Sequence, residues 1–173
     1  MLTRLMRDKG FDFYWSDKHA TNLFAQGFEH KDGATYDGVT AIEVLEHTED
    51  PMVFLSSLSQ LSPSRTVIFT TELCASPPPS PEEWWYYGLS TGQHIAFFQE
   101  RTLEAISARL GVRYMRAGAL HVFSAQLPST VLARVASSRL SVFVDFLARK
   151  RLGSKVVTDH ELVVERQKTT YGR

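Results

Sequence analysis

Cysteine is nearly absent. Cys74 is the single one in 173 residues, which excludes an internal disulfide framework and fits a reducing compartment. No apolar run reaches the roughly 18 residues that a membrane span needs. The start, "MLTRLMRDKGF", lacks the apolar core of a signal peptide. Neither sign of charge prevails, since Lys plus Arg and Asp plus Glu are each 19. That argues against a protein built mainly to hold nucleic acid or an anionic membrane, while leaving room for a local basic patch. The expectation is a soluble, cytoplasmic chain forming a single domain over residues 1–173, long enough to bury a core.

What is present alternates between strand and helix patterns. Leu2, Leu5 and Met6 keep helical spacing before Gly10, which predicts a short helix over 2–9. "FDFYWSD" reads as a buried strand with Asp17 at its tip, and "NLFAQGF" as helix turning into a brief strand. "YDGVTAIEV" (36–44) is the next buried strand. "EDPMVFLSSLSQLS" is a helix with an acidic, proline-bearing start, and "RTVIFTTEL" a further strand. A long loop follows, with prolines at 77, 78, 79 and 81 and then Trp84, Trp85, Tyr86 and Tyr87. Loops of that length in compact domains are often functional.

Beyond the loop, "ERTLEAISARLG" predicts a helix with Leu103, Ile106 and Leu110 on one face and Gly111 at its end. "RYMRAGALHVFSAQL" is a strand region. Residues 129–152 predict an amphipathic helix with Leu132, Val135, Phe143 and Phe146 inward and a basic end that suits the helix C-terminus. It lies in a helical insertion over 126–155, suited to capping a pocket or making a homodimer contact. "TDHELVVER" reads as a last strand. The pattern is that of an α/β protein with a Rossmann-like, doubly wound, mostly parallel sheet. Ligands of such sheets bind beyond the carboxyl ends of the strands, where Asp17, Glu43 and Glu72 lie.

The ordered series "GFDFYWSD", "YDGVTAIEVLEHTEDP", "RTVIFTTE" and "WWYYGLSTGQHIAFFQERTLEAISARLG" resembles the class I S-adenosylmethionine-dependent methyltransferases over roughly residues 2–125. The resemblance implies that Asp17 accepts hydrogen bonds from the cofactor ribose hydroxyls, for which a carboxylate offers two oxygens. It places Ile42, Glu43 and Val44 along the cofactor's methionine end. Asp32 is a weak candidate for the adenine contact. The family's glycine-rich motif, D-x-G-x-G-x-G, does not occur, nor does the strand before it. A fragment, or a start at an internal Met of a longer frame, is therefore expected rather than a pseudoenzyme.

Glu43, Glu46 and His47 stand at i, i+3 and i+4, so a helical turn would turn all three to one side. One reading is structural: carboxylates near a helix N-terminus are stabilised by about 0.3–1 kcal/mol each. The other starts from a second resemblance. "ExxEH" with a distant His is similar to the metal site of terminal-ribose RNA 2′-O-methyltransferases and of the O-methyltransferases of ubiquinone biosynthesis. That implies Glu43, Glu46, His47 and His94 as ligands of Mg²⁺, Mn²⁺ or Zn²⁺. Without a metal, His47 or His94 would serve as general base. Trp84, Trp85, Tyr86 and Tyr87 would cover the substrate, or in part plug the loop onto the core. The expected function is S-adenosylmethionine-dependent O-methylation of a small hydroxylated metabolite. RNA as acceptor ranks well below a small molecule, and a non-catalytic binding or assembly domain is the alternative from another class. His19, His30, His121 and His160 read as ordinary.

Overall fold

A computed structural model describes residues 1–128, 130 and 150–171. The chain divides into two compact units, one of residues Thr35–Ser137 and one of Met1–Ala34 with Ser138–Arg173. The predicted inward face of the 129–152 helix, with Leu132, Val135, Phe143 and Phe146, lies outside the described residues.

The first unit is built on a four-stranded sheet of order β1-β2-β4-β3. Its strands are β1 (Val39–Ile42), β2 (Val67–Thr70), β3 (Arg113–Ala117) and β4 (Leu120–Ser124). β1 and β2 are parallel, with Val39 opposite Val67 and Ile42 opposite Thr70. β4 runs antiparallel to both β2 and β3. The segment expected as one strand region after Gly111 is thus a hairpin, turned at Gly118 with φ +62°. In β2 the side chains alternate: Val67 and Phe69 are wholly buried, while Ile68 and Thr70 are half-buried. They meet Leu45, Leu55, Leu103 and Phe123 in one core.

Two helices cover the sheet, and both keep the ends that the sequence predicts. α2 (Pro51–Gln60) opens with Pro51 at its first position, and the Asp50 carboxylate accepts from the Val53 amide at 3.0 Å. α3 (Glu100–Leu110) buries Leu103 and Ile106. Gly111 closes it in the left-handed region at φ +65°, and the Val112 amide reaches back to the Ser107 carbonyl at 3.0 Å. Because β1 and β2 are parallel, their carboxyl ends share one edge of the sheet. There the Glu43 amide donates to Thr70 Oγ1 at 2.9 Å, and Glu43 itself takes φ +51°.

The second unit departs more from expectation. α1 (Leu2–Asp8) forms as predicted, but it buries Thr3 and Arg7 and leaves Leu2 and Leu5 exposed. Arg7 explains the inversion: its guanidinium donates from Nε and Nη2 to the two Asp159 oxygens, each at 2.8 Å. It also lies over the Phe28 ring at 3.9 Å. The strand expected over 158–166 is instead part of a helix, α4 (Val156–Tyr171), which carries Asp159 to Arg7. The strand expected at "FDFYWSD" reduces to a single bridge between Trp15 and Glu29, and within "NLFAQGF" residues 23–27 form turns and a bend rather than helix.

Candidate active site

The carboxyl edge of β1 leads directly into the candidate site. After Glu43 the chain enters a short 3₁₀ turn, Leu45–His47, that buries Leu45 and Glu46 completely. The carbonyl of Glu46 then accepts from the amides of Ile95 (2.8 Å) and Ala96 (3.1 Å). Those two bonds bring the far side of the proline-rich loop back to the strand end, and His94 with it. The ring centroids of His47 and His94 stand 4.9 Å apart, edge to face. One ligand atom each from Glu46, His47 and His94 lies within 4.8 Å of the others.

Both imidazoles have a fixed tautomer. His47 Nδ1 lies 2.8 Å from the Gln93 carbonyl, and His94 Nδ1 lies 2.5 Å from the Tyr86 carbonyl. A carbonyl oxygen only accepts, so each Nδ1 carries the proton and each neutral ring keeps its lone pair on Nε2. His47 Nε2 is 3.8 Å from Glu46 Oε1. Neither Glu46 oxygen has a hydrogen-bond partner among the described residues, although the side chain is wholly buried. An ionised carboxylate left in that position is costly unless a cation or a proton meets it.

Glu43 does not join this group. The 3₁₀ turn begins after it, and its positive φ breaks the i, i+3, i+4 geometry that would have aligned the three side chains. Its carboxylate instead accepts from the Tyr86 hydroxyl at 3.5 Å. Of the four predicted metal ligands, three converge and Glu43 stands apart. Ile42 and Val44, on either side of it, are exposed at the strand end.

The four aromatics of the loop separate into distinct roles. Tyr86 is buried, with its hydroxyl 3.3 Å from Thr71 Oγ1 and its ring 4.4 Å from that of His94. Burial pushes that hydroxyl up to about 12, against the lowering effect of the Thr71 hydrogen bond. Trp84 and Tyr87 pack on Phe97 at 5.5 and 5.0 Å, and the Tyr87 hydroxyl donates to the Pro79 carbonyl. They hold the loop down. Trp85 alone turns its ring to solvent and is 80% exposed.

His121, which looked ordinary in the sequence, is buried in β4. Its Nε2 donates to the Thr71 carbonyl at 3.2 Å, and its Nδ1 faces the Tyr114 hydroxyl at 2.8 Å. Burial lowers its pKa, so it is held neutral. Its place in β4, opposite Phe69 of β2, was not readable from spacing.

Asp17 and Asp32 belong to the other unit, and Asp32 is exposed in a turn. Asp17 Oδ1 accepts from the amides of His19 (2.8 Å) and Ala20 (3.0 Å), and these bonds hold the carboxyl below its ordinary range. It stands on the rim of a hollow of about 390 Å³ lined by Trp15, Ser16, Asn22 and Phe24, among others.

A family model described as a methyltransferase domain matches residues 1–116, from α1 through β3. The chain belongs to that family. It is an S-adenosylmethionine-dependent methyltransferase with a mixed α/β fold of the Rossmann-like kind. The matched region takes in Asp17, the strand-end turn and the whole loop that carries His94. Comparison with curated proteins and with solved structures returned no match. No helix among the described residues of this methyltransferase is long and apolar enough to cross a membrane.

Proposed function

We propose that this methyltransferase methylates a hydroxyl oxygen of a small metabolite, and that Glu46, His47 and His94 hold a divalent cation at the acceptor. One observation carries the reading: a wholly buried Glu46 carboxylate, without a hydrogen-bond partner among the described residues, grouped with two imidazoles. The grouping offers one carboxylate oxygen and two nitrogens, a donor set suited to Mn²⁺ or Zn²⁺ and less to Mg²⁺. A cation there would lower the pKa of a bound hydroxyl. S-adenosylmethionine supplies an electrophilic methyl group on a sulfonium.

The chain's own residues then have separable tasks. The acceptor hydroxyl gives its proton to solvent water, the acceptor oxygen bonds the methyl carbon, and the carbon–sulfur bond breaks to leave a neutral thioether. The carbonyls of Gln93 and Tyr86 hold each ring with its Nε2 lone pair directed to the cation; with no cation bound, a free Nε2 would take the acceptor proton instead. Ile42, Glu43 and Val44, at the carboxyl end of β1, border the methionine end of the cofactor. Tyr86 stays protonated and supports His94 from below.

The reading predicts that Mn²⁺ or Zn²⁺ raises the melting temperature of the chain and that EDTA reverses the effect. Saturation at 100 times Kd corresponds to about 2.7 kcal/mol. Methyl transfer, assayed with catechol as acceptor, should be abolished by chelator and restored by added metal. Activity unchanged by EDTA and by Glu46→Ala would sink the metal role. Loss on His94→Gln with indifference to EDTA would leave imidazole alone as the base.

A further inference from the structure

The segments that build the site carry almost no positive charge. Between Val39 and Gln99 the only Lys or Arg is Arg65. Its guanidinium is engaged by the Leu110 carbonyl at the end of α3, at 2.9 Å. Besides the Glu46 of the proposed cation site, the same span carries Glu43, Glu49 and Glu72. A phosphate or carboxylate on the acceptor would meet carboxylates here and no guanidinium or ammonium from these segments. Recognition of such anions normally rests on those cations, and RNA binding depends on them more heavily still.

What surrounds the polar group is apolar and open. The Trp85 ring, 80% exposed, meets Tyr86 edge to face at 5.4 Å, and Tyr86 in turn contacts His94. Ile95 follows His94 and is 54% exposed, although its amide is pinned to the Glu46 carbonyl. Val44, whose carbonyl accepts the His47 amide, is exposed as well. Exposed aromatic and aliphatic side chains beside a small set of polar groups suit a ligand with an apolar body.

We infer that the acceptor is an uncharged, planar hydroxylated molecule with an apolar body, and that Trp85 is the residue that selects it. This rests on the methyl-transfer reading of the same site. Trp85 offers a stacking face, Val44 and Ile95 offer aliphatic contact, and the acidic surroundings turn anionic acceptors away. Ribose phosphates present the same pair of neighbouring hydroxyls as a catechol, so charge and planarity are what separate the two.

Ligand-observed NMR titration of the full chain tests this with three probes: 4-tert-butylcatechol, 4-tert-butylphenol and adenosine 5′-monophosphate. The two neutral aromatics should bind saturably, and the nucleotide should bind at least tenfold more weakly. Trp85→Ala should weaken the aromatics about 3- to 10-fold, while Trp84→Phe, within the plug, should leave them unchanged. The phenol has no second hydroxyl to chelate with. Its Trp85-dependent binding in EDTA would therefore survive even if the metal role failed. Tighter binding of the nucleotide would overturn the inference. So would aromatic binding indifferent to Trp85→Ala, including the case in which that variant instead changes self-association in size-exclusion chromatography.

Discussion

At the scale of single residues, Glu46 is the informative position. A buried carboxylate with no hydrogen-bond partner among the described residues weakens the fold unless something positive meets it. Glu46→Leu fills a similar volume without the charge. In EDTA it should therefore raise stability by about 1–3 kcal/mol, read as a melting temperature higher by roughly 2–4 °C per kcal/mol. The same variant should lose any shift produced by Mn²⁺. A lower melting temperature in EDTA would mean that Glu46 has a favourable partner within the protein. The pair Glu46 and His47 was legible from the "ExxEH" spacing, because adjacent residues in a turn stay together. Glu43 was misplaced because the spacing assumes a helical turn from residue 43 onwards. The observed 3₁₀ turn starts at Leu45, after a residue at φ +51°.

At the scale of elements, the ends of α2 and α3 were readable because each is set locally. Asp50 and Pro51 open the one, and Gly111 closes the other. α4 was not, and the reason is its polarity. Lys155, Thr158, Asp159, Leu162 and Arg166 recur at helical spacing and line one hollow, but only Leu162 among them is apolar. A search for apolar periodicity sees instead the run Leu162, Val163, Val164 and reads a strand. The helix is held by the bidentate Arg7–Asp159 pair, both members being almost wholly buried. Asp159→Ala would leave the Arg7 charge buried without that partner and should cost about 3–5 kcal/mol. Burial opposes ionisation of Asp159, but hydrogen bonds and charge from Arg7 and Arg4 outweigh it and lower its pKa. The folded-state pKa therefore lies below the unfolded value, so the contribution is present at neutral pH and is lost as pH falls below the usual carboxylate range. Amide exchange in α4 followed from pH 6 to pH 3 should show protection falling late. Protection already lost near pH 6 would contradict the ion pair.

At the scale of the whole molecule, the two units carry different titrating groups and should answer pH differently. The sheet unit holds His121, Tyr86 and Tyr114, whereas Arg7 and Asp159 belong to the other. His121 is lowered by burial, so the unfolded chain takes up its proton at a higher pH than the folded chain does. The unit is then fully stabilised by neutral His121 above about 6.5, and it loses that contribution as pH falls below it. Tyr86 and Tyr114 are both raised to about 12, with burial as the first cause in each. Folding retains their protons between the unfolded value near 10 and about 12, so stability falls as pH climbs through that window. Hydrogen exchange read separately over Thr35–Ser137 and over α1 with α4 should place the optimum of the sheet unit between pH 7 and 10. The acid limb of the other unit should come at a lower pH than that of the sheet, because a carboxylate pKa lowered by Arg7 is set against a lowered imidazole pKa. Tyr114→Phe removes one alkaline titration without removing the ring that stacks on His121, and should flatten the alkaline limb. An unchanged limb in that variant would assign the loss of stability above pH 10 to groups other than this buried phenol.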